Sequence, residues 1–321
     1  DGLEVLDKLQ DLKYDPAIVM ISGHGTIDTA VDALKNGAFD YIPKPPDLNR
    51  LLVTVRNAMD KNDLMEETKV LKKKLNKIKS ANIIGESTAI KNVIDVIDKV
   101  AATDARVLIT GGNGSGKELV ARKIHKNSGR SKEPFIILNA ALLKEKTYEK
   151  ELFGEEFEDG NISFGALERA NKGTLLIDEV SEIPLETQSK ILRVLIDQKF
   201  KRINGNHDIN VDVRIICSSS KDIKKEIKDA NFREDLYHRL NVFEINIDPL
   251  KDRVSDIPLL VEYFSEKIST NYNLKKLIID TNNKYLLNYD WPGNVRELRN
   301  LIERIAILSP NSADKISNII K

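Results

Sequence analysis

Residues 106–125 read RVLITGGNGSGKELVARKIH, and the order of residue types in that stretch decides the fold. RVLIT is a short aliphatic run of the kind that fills a buried strand, and the segment from Lys117 on carries apolar residues at helical spacing. Between them Gly111, Gly112, Asn113, Gly114, Ser115, Gly116 and Lys117 make a glycine loop with the GxxxxGK spacing. Gly111, Gly114 and Gly116 let backbone amides turn inward onto phosphate oxygens. The helix that follows adds the positive end of its dipole, and Lys117 is long enough to reach the β- and γ-phosphates. An ordinary glycine turn ahead of a helix is the competing reading, and the strand-loop-helix context speaks against it. Glu118 stands where this loop usually carries the Ser or Thr that ligates Mg²⁺.

Working outward, GTLLIDEV at 173–180 is a second apolar strand, ending in Asp178 and Glu179. Parallel α/β sheets place their ligands at the C-terminal ends of strands. There Asp178 would hold Mg²⁺, directly or through water, and Glu179 would act as general base on an attacking water. Helical and strand patterns alternate from Ile83 to Asp248: a helix near Ile90 to Val100, PFIILN, a helix from Pro184, and VRIICSS. This alternation predicts a parallel α/β core over 81–248. Beyond Pro249 helical periodicity dominates, in PLLVEYFSEKIST and VRELRNLIERIAIL, so 249–321 reads as a small helical lid. Upstream, residues 1–60 carry GLEVLDKLQDL, AIVMIS, IDTAVDALKNGA, DYIPKP and a helix from Leu48, which is half of a doubly wound domain. The chain is therefore expected to begin inside a domain. Residues 61–80 are polar and Lys-rich, with Leu64, Leu71, Leu75 and Ile78 near heptad spacing. They read as a linker helix, either solvated or dimerising.

Fifty basic side chains balance fifty acidic ones, so these residues lack the electrostatic footprint of extensive phosphate or anionic-membrane contact. No apolar run is long enough to span a bilayer. The single cysteine, Cys217, excludes an internal disulfide and leans toward a reducing, cytoplasmic setting. His24, His125, His207 and His238 lack metal-ligand spacing and read as ordinary residues.

Taken in order, IIGES at 83–87, the glycine loop, FIILNA, ELFG, GALERANKGTLLIDEV, FREDLYHRLNVF and WPGNVRELRN resemble the bacterial enhancer-binding AAA+ family from Ile83 to Ile307. ISGHGTIDTAVDALKNGAFDYIPKP resembles the C-terminal half of a receiver domain. Together they resemble the NtrC-type two-component response regulators. That resemblance implies ATP and Mg²⁺ as cofactors, a histidine kinase as partner, and assembly into a dimer or ring. It implies that Ile84 and Gly85 border the adenine, that Asn139 restrains Glu179 until ATP is in place, and that Arg296 senses nucleotide from the lid. Arg233 and Arg239 match the arginines that reach a neighbouring subunit's ATP. In the receiver portion Ser22 matches the phosphoryl-contacting hydroxyl, Tyr41 the switching aromatic and Lys44 the lysine before proline. By local chemistry alone Asn139 is a turn residue at a strand end and Arg239 a surface ion pair.

Two departures qualify the resemblance. Ser220 stands where the family usually has a γ-phosphate-sensing asparagine, which predicts slow hydrolysis. Between Gly154 and Gly165 the chain has EEFEDGNISF, short and without the GAFTGA loop that grips sigma-54. Glu155, Glu156, Glu158 and Asp159 make this stretch read as a solvated turn, with Phe164 expected in the core beside the following helix. Loss of that loop resembles the NtrX branch, whose partner is a membrane histidine kinase of the NtrY type. The usual sigma-54 contact is then not expected. The phosphoacceptor Asp is expected upstream of Asp1, and DNA contact is expected through a segment outside these residues. A regulator that hydrolyses ATP and a non-catalytic DNA-bound regulator in which ATP binding sets the oligomeric state both fit this sequence.

Overall fold

In the computed structural model the described residues are 5–6, 17–23, 27–60, 82–144 and 147–308, without 273, 275, 276, 278 and 282. The linker helix expected over 61–80 lies outside them. The chain divides into two compact units, 1–81 and 82–321.

In the first unit β1 (Val19–Ser22) pairs in parallel with β2 (Asp40–Pro43), and α1 (Ile27–Lys35) makes the crossover. A second helix, α2, spans 48–60. Ala33, Ala38 and Tyr41 form its core with Leu6.

The second unit opens with α3 (Thr88–Ala101), whose apolar residues Ile90, Val93, Ile97 and Val100 recur every three or four positions and are buried. Each such side chain contributes about 1.5–3 kcal/mol when taken from water. Then follow β3 (Val107–Thr110), α4 (Lys117–Lys126), β4 (Phe135–Asn139), α5 (Tyr148–Phe153), the hairpin β5 (Gly154–Glu156) and β6 (Ile162–Phe164), α6 (Ala166–Arg169), β7 (Thr174–Asp178) and α7 (Leu185–Asp197). A small hairpin of β8 (Lys199–Phe200) and β9 (Ile209–Asn210) leads to β10 (Arg214–Ser219), α8 (Ile223–Lys228), α9 (Glu234–Leu240) and β11 (Phe243–Asn246). The last strand and both hairpins were not anticipated from sequence. Each is only two to four residues long, too short for periodicity to register.

Five strands form one parallel sheet in the order β11-β3-β10-β7-β4. Alternation along β7 sends Leu175 and Ile177 into one apolar layer with α7 and α9, and Leu176 into the other with α3 and α4. The central strand β10 is buried throughout and carries Cys217. Arg214, at its start, is buried and donates to Val100 O (2.9 Å) and Ala101 O, covering the carbonyl end of α3. The lid contains a 3₁₀ segment (Leu250–Asp256), α10 (Ile257–Tyr272), α11 (Lys284–Leu287) and α12 (Asn294–Leu308), around a core that includes Trp291. Among the described residues no helix is long and apolar enough to cross a membrane.

Candidate nucleotide site

The topology sets four strand ends side by side. Thr110 of β3 lies opposite Ser219 of β10, and Asn139 of β4 opposite Asp178 of β7. The glycine loop leaves β3 at this edge. Most of its carbonyls are occupied. Lys117 Nζ donates to Gly111 O (2.9 Å), Asn294 Nδ2 to Asn113 O (3.0 Å), Arg296 N to Gly114 O (3.3 Å) and Arg253 Nη2 to Ser115 O (3.2 Å). The first-turn amides of α4 have no intrahelical acceptor, and Gly116 gives no side-chain cap. Of the loop amides Ser115 N donates to Gly112 O (3.2 Å); a glycine loop with most of its carbonyls bonded elsewhere, running into a helix N-terminus, is a cradle for an anion. At Gly114 (φ +75°) a Cβ would lie 2.2 Å from Gly293 O and 2.8 Å from Arg296 Cβ, so the lid packs against this glycine's bare face. Glu118 points outward to Arg122 (2.7 Å) and takes no part in the cradle.

Lys117 is 7% exposed and pairs with Glu179 at 3.0 Å, so loop and β7 converge on one buried ion pair. The remaining Glu179 oxygen accepts from Ser220 N and Ser220 Oγ, both at 2.7 Å. Burial pushes the Glu179 carboxyl up. The Ser220 donors and Lys117 outweigh burial and hold it below the usual carboxylate range. Its backbone is left-handed (φ 56°, ψ 54°), a conformation that costs a non-glycine residue of order 1 kcal/mol and aims the side chain back across the strand ends.

Two expected contacts are rearranged here. Asn139 Nδ2 donates to Asp178 Oδ2 (2.9 Å) and not to Glu179, because β4 and β7 pair with Asn139 opposite Asp178. Ser220, expected to face the γ-phosphate, is spent on Glu179. Its side chain is one carbon shorter than asparagine's and its own amide already points at the carboxylate. Ser218, which sequence reasoning passed over, donates to the other Asp178 oxygen. Its alternation with Ser220 along the end of β10 was the available signal.

Ile84 packs against the lid core, and Gly85 lies against Asp256 of the lid. Arg296 is exposed at the start of α12 and, with Asn113 and Trp291, lines a cavity of about 610 Å³. Arg233 lies on the surface, where it grips Asp235 in a bidentate pair (2.7 Å). Arg239 is exposed on α9, and among the described residues its guanidinium makes no hydrogen bond or ion pair. Neither arginine meets the loop or the acidic pair of its own chain. In the first unit Ser22 and Lys44 adjoin at the ends of β1 and β2, where Lys44 N donates to Ser22 O (2.7 Å). Tyr41, on β2 opposite Met20, is buried with its hydroxyl unbonded.

A magnesium ion fits this donor set. Asp178 is bonded only by neutral donors, and Asn139 Oδ1 next to it is buried without a partner. Among the described residues no cluster of three His, Cys, Asp or Glu side chains exists. One carboxylate with water and phosphate oxygens is the coordination Mg²⁺ favours.

A receiver-type half followed by a P-loop sheet and helical lid defines a class, and the comparisons agree. Residues 1–56 match the response regulator receiver domain, 83–246 the sigma-54 interaction domain, and 251–319 the AAA+ ATPase lid domain. The chain belongs to the NtrC family of response regulators. Within it, similarity is high to the nitrogen assimilation regulatory protein NtrX of Azorhizobium caulinodans, 44% identical over 98% of this chain and 69% of that protein. Crystal structures of NtrX from Brucella abortus in complex with ADP and with ATP are 41% identical. They cover 98% of this chain and 72% and 70% of theirs, with TM-scores of 0.70 and 0.69. The hairpin at 154–165 also corrects one expectation. Of the acidic stretch read as a solvated turn, Glu158 and Asp159 are exposed at the turn, but Glu155 and Glu156 are half-buried in β5 and paired with Lys150 and Arg202. Phe164 is 59% exposed under the Arg202 guanidinium, not in the core.

Proposed function

We propose that this chain binds ATP with Mg²⁺ and hydrolyses it between subunits, as the assembly engine of a phosphorylation-controlled transcription regulator. The observation that carries this reading is the buried Lys117–Glu179 pair, in which the loop's cation and the candidate base are held together. Asp178 and the orphaned Asn139 oxygen would hold Mg²⁺, which supplies charge neutralisation on the phosphates. An arriving triphosphate competes for Lys117, which frees one oxygen of Glu179. Ser220 keeps hold of the other, so Glu179 turns over slowly. The ADP and ATP complexes of the Brucella abortus protein support nucleotide binding.

Arg233 and Arg239, both on the surface around α9, would act on a neighbour's nucleotide in a dimer or ring. Ile84, Gly85 and Arg296 would enclose base and phosphate. Ser22, Tyr41 and Lys44 would relay phosphorylation by a histidine kinase, the resemblance pointing to the NtrY type. DNA contact would lie in a segment outside these residues. The short, ion-paired hairpin supports regulation through DNA occupancy rather than the usual sigma-54 contact. A second reading, ATP binding without turnover, is favoured by the two Ser220 bonds on Glu179. Steady-state ATPase assays across protein concentration separate the two. Specific activity that rises as subunits associate supports hydrolysis in trans, whereas bound ATP with no phosphate release at any concentration leaves the second reading.

A further inference from the structure

The nucleotide loop is held from behind by charged and polar groups that the proposed chemistry does not use. Asp256 ends the lid's 3₁₀ segment and is 0% exposed. Its Oδ1 accepts from Glu86 N and Ser87 N, both at 2.8 Å, and its Oδ2 from Ser87 Oγ at 2.7 Å. The closeness of this carboxylate requires Gly85. A Cβ there would lie 2.8 Å from Asp256, and its φ of +151° suits only glycine. One turn earlier Arg253, 4% exposed, reaches Asp256 at 3.8 Å, Asp248 O at 3.1 Å and the loop's Ser115 O at 3.2 Å. Asn294, 3% exposed at the head of α12, accepts from Leu250 N (2.8 Å) and donates to Asn113 O (3.0 Å).

Three buried polar side chains of the lid thus tie down the 84–87 segment, the glycine loop and the segment just after β11 at once. Burying a carboxylate and a guanidinium carries a desolvation penalty that a 3.8 Å pair recovers poorly. An apolar contact would join lid to core more cheaply. What the polar links add is direction: each bond to a loop carbonyl fixes which way the adjoining amide faces. We infer that Arg253, Asp256 and Asn294 are positioning residues for the nucleotide. They orient the loop amides through the carbonyl side and make loop geometry and lid angle a single equilibrium. Nucleotide binding then sets the lid, and a lid displaced by a neighbour loosens nucleotide.

The inference rests on the reading of 111–118 as a nucleotide site, and its test separates the two. Trp291, the chain's single tryptophan, is buried in the lid beside the same cavity as Asn113, and reports lid environment by its emission. The full chain is titrated with a fluorescent ADP while Trp291 emission and thermal melting are followed. Arg253→Met replaces the buried charge by an apolar chain of similar reach and leaves Asp256 its three donors. Asn294→Gly removes the other link while tolerating φ +53°. Both variants should remain folded, bind the labelled ADP roughly 10- to 100-fold more weakly, and lose the nucleotide-induced change in Trp291 emission. Arg253→Lys should recover part of the affinity as a point charge without the fork. A group that only stabilises the fold would lower the melting temperature and leave affinity and emission change alone. Wild-type affinity and emission change in either folded variant would overturn the inference. Failure of the wild-type chain itself to bind the labelled ADP would instead remove the nucleotide site.

Discussion

The nucleotide site and the β5–β6 hairpin lie in the same unit and hold their charges in opposite ways. At the site, Lys117 and Glu179, far apart in sequence, meet in a buried pair beside the half-buried Asp178, with each carboxylate bonded on both oxygens. On the hairpin the pairs are exposed or half-buried, and Phe157, Ile162 and Phe164 face solvent. A buried polar group must be satisfied by neighbours fixed in the fold, so one altered residue there, Ser220, is absorbed by rewiring. A surface loop answers only to its own turn, and it can lose a whole motif while Gly154 and Gly165 still close its base.

The largest effects that test this contrast belong to the site. Glu179→Gln should keep nucleotide binding and lose turnover by about 100-fold or more, and Lys117→Ala should lose binding itself. Equal rates in phosphate-release assays would erase the distinction between the two regions. Next, mixing Arg239→Ala subunits with Lys117→Ala subunits should restore measurable ATPase activity, because each supplies what the other lacks. A mixture as inactive as its components would place Arg239 outside the reaction. Third, Arg202→Ala leaves the Glu156 and Glu168 carboxylates facing each other without the guanidinium that joins them at 2.8 Å and 2.5 Å. It should cost about 1–3 kcal/mol in chemical denaturation with nucleotide affinity unchanged, and a parallel loss of affinity would show the hairpin coupled to the site. The smallest effect is expected from Phe157→Ser and Phe164→Ser, within about 0.5 kcal/mol. Neither they nor the wild type should form a sigma-54 complex with an ATP transition-state analogue in gel filtration. An analogue-dependent complex would make the hairpin a working contact loop.

The sheet was readable because RVLIT, GTLLID and VRIICSS are continuous apolar runs, which only strands covered on both faces require. The glycine loop was readable because its spacing is the chemistry. Who bonds to whom was not. Asn139 meets Asp178 by a β4–β7 register that no local pattern encodes, and Phe164 leaves the core because Arg202, 38 positions on, comes to cover it. Arg253 and Asp256 sit in KDRVSDIP, which reads as an ordinary charged surface. Only the packing of lid on loop, between residues 115 and 253, makes them interior.

Cys217 lies in the middle of β10, between β3 and β7, and burial pushes its thiol well above the ordinary range. Its side chain lies in the apolar layer between the sheet and α7 and α9, so a water-soluble disulfide reagent meets it only when that layer opens. Its modification rate under native conditions is then a clock for the opening of the core. With one thiol in the chain, that clock needs no engineered label and can be read with and without nucleotide in the same tube.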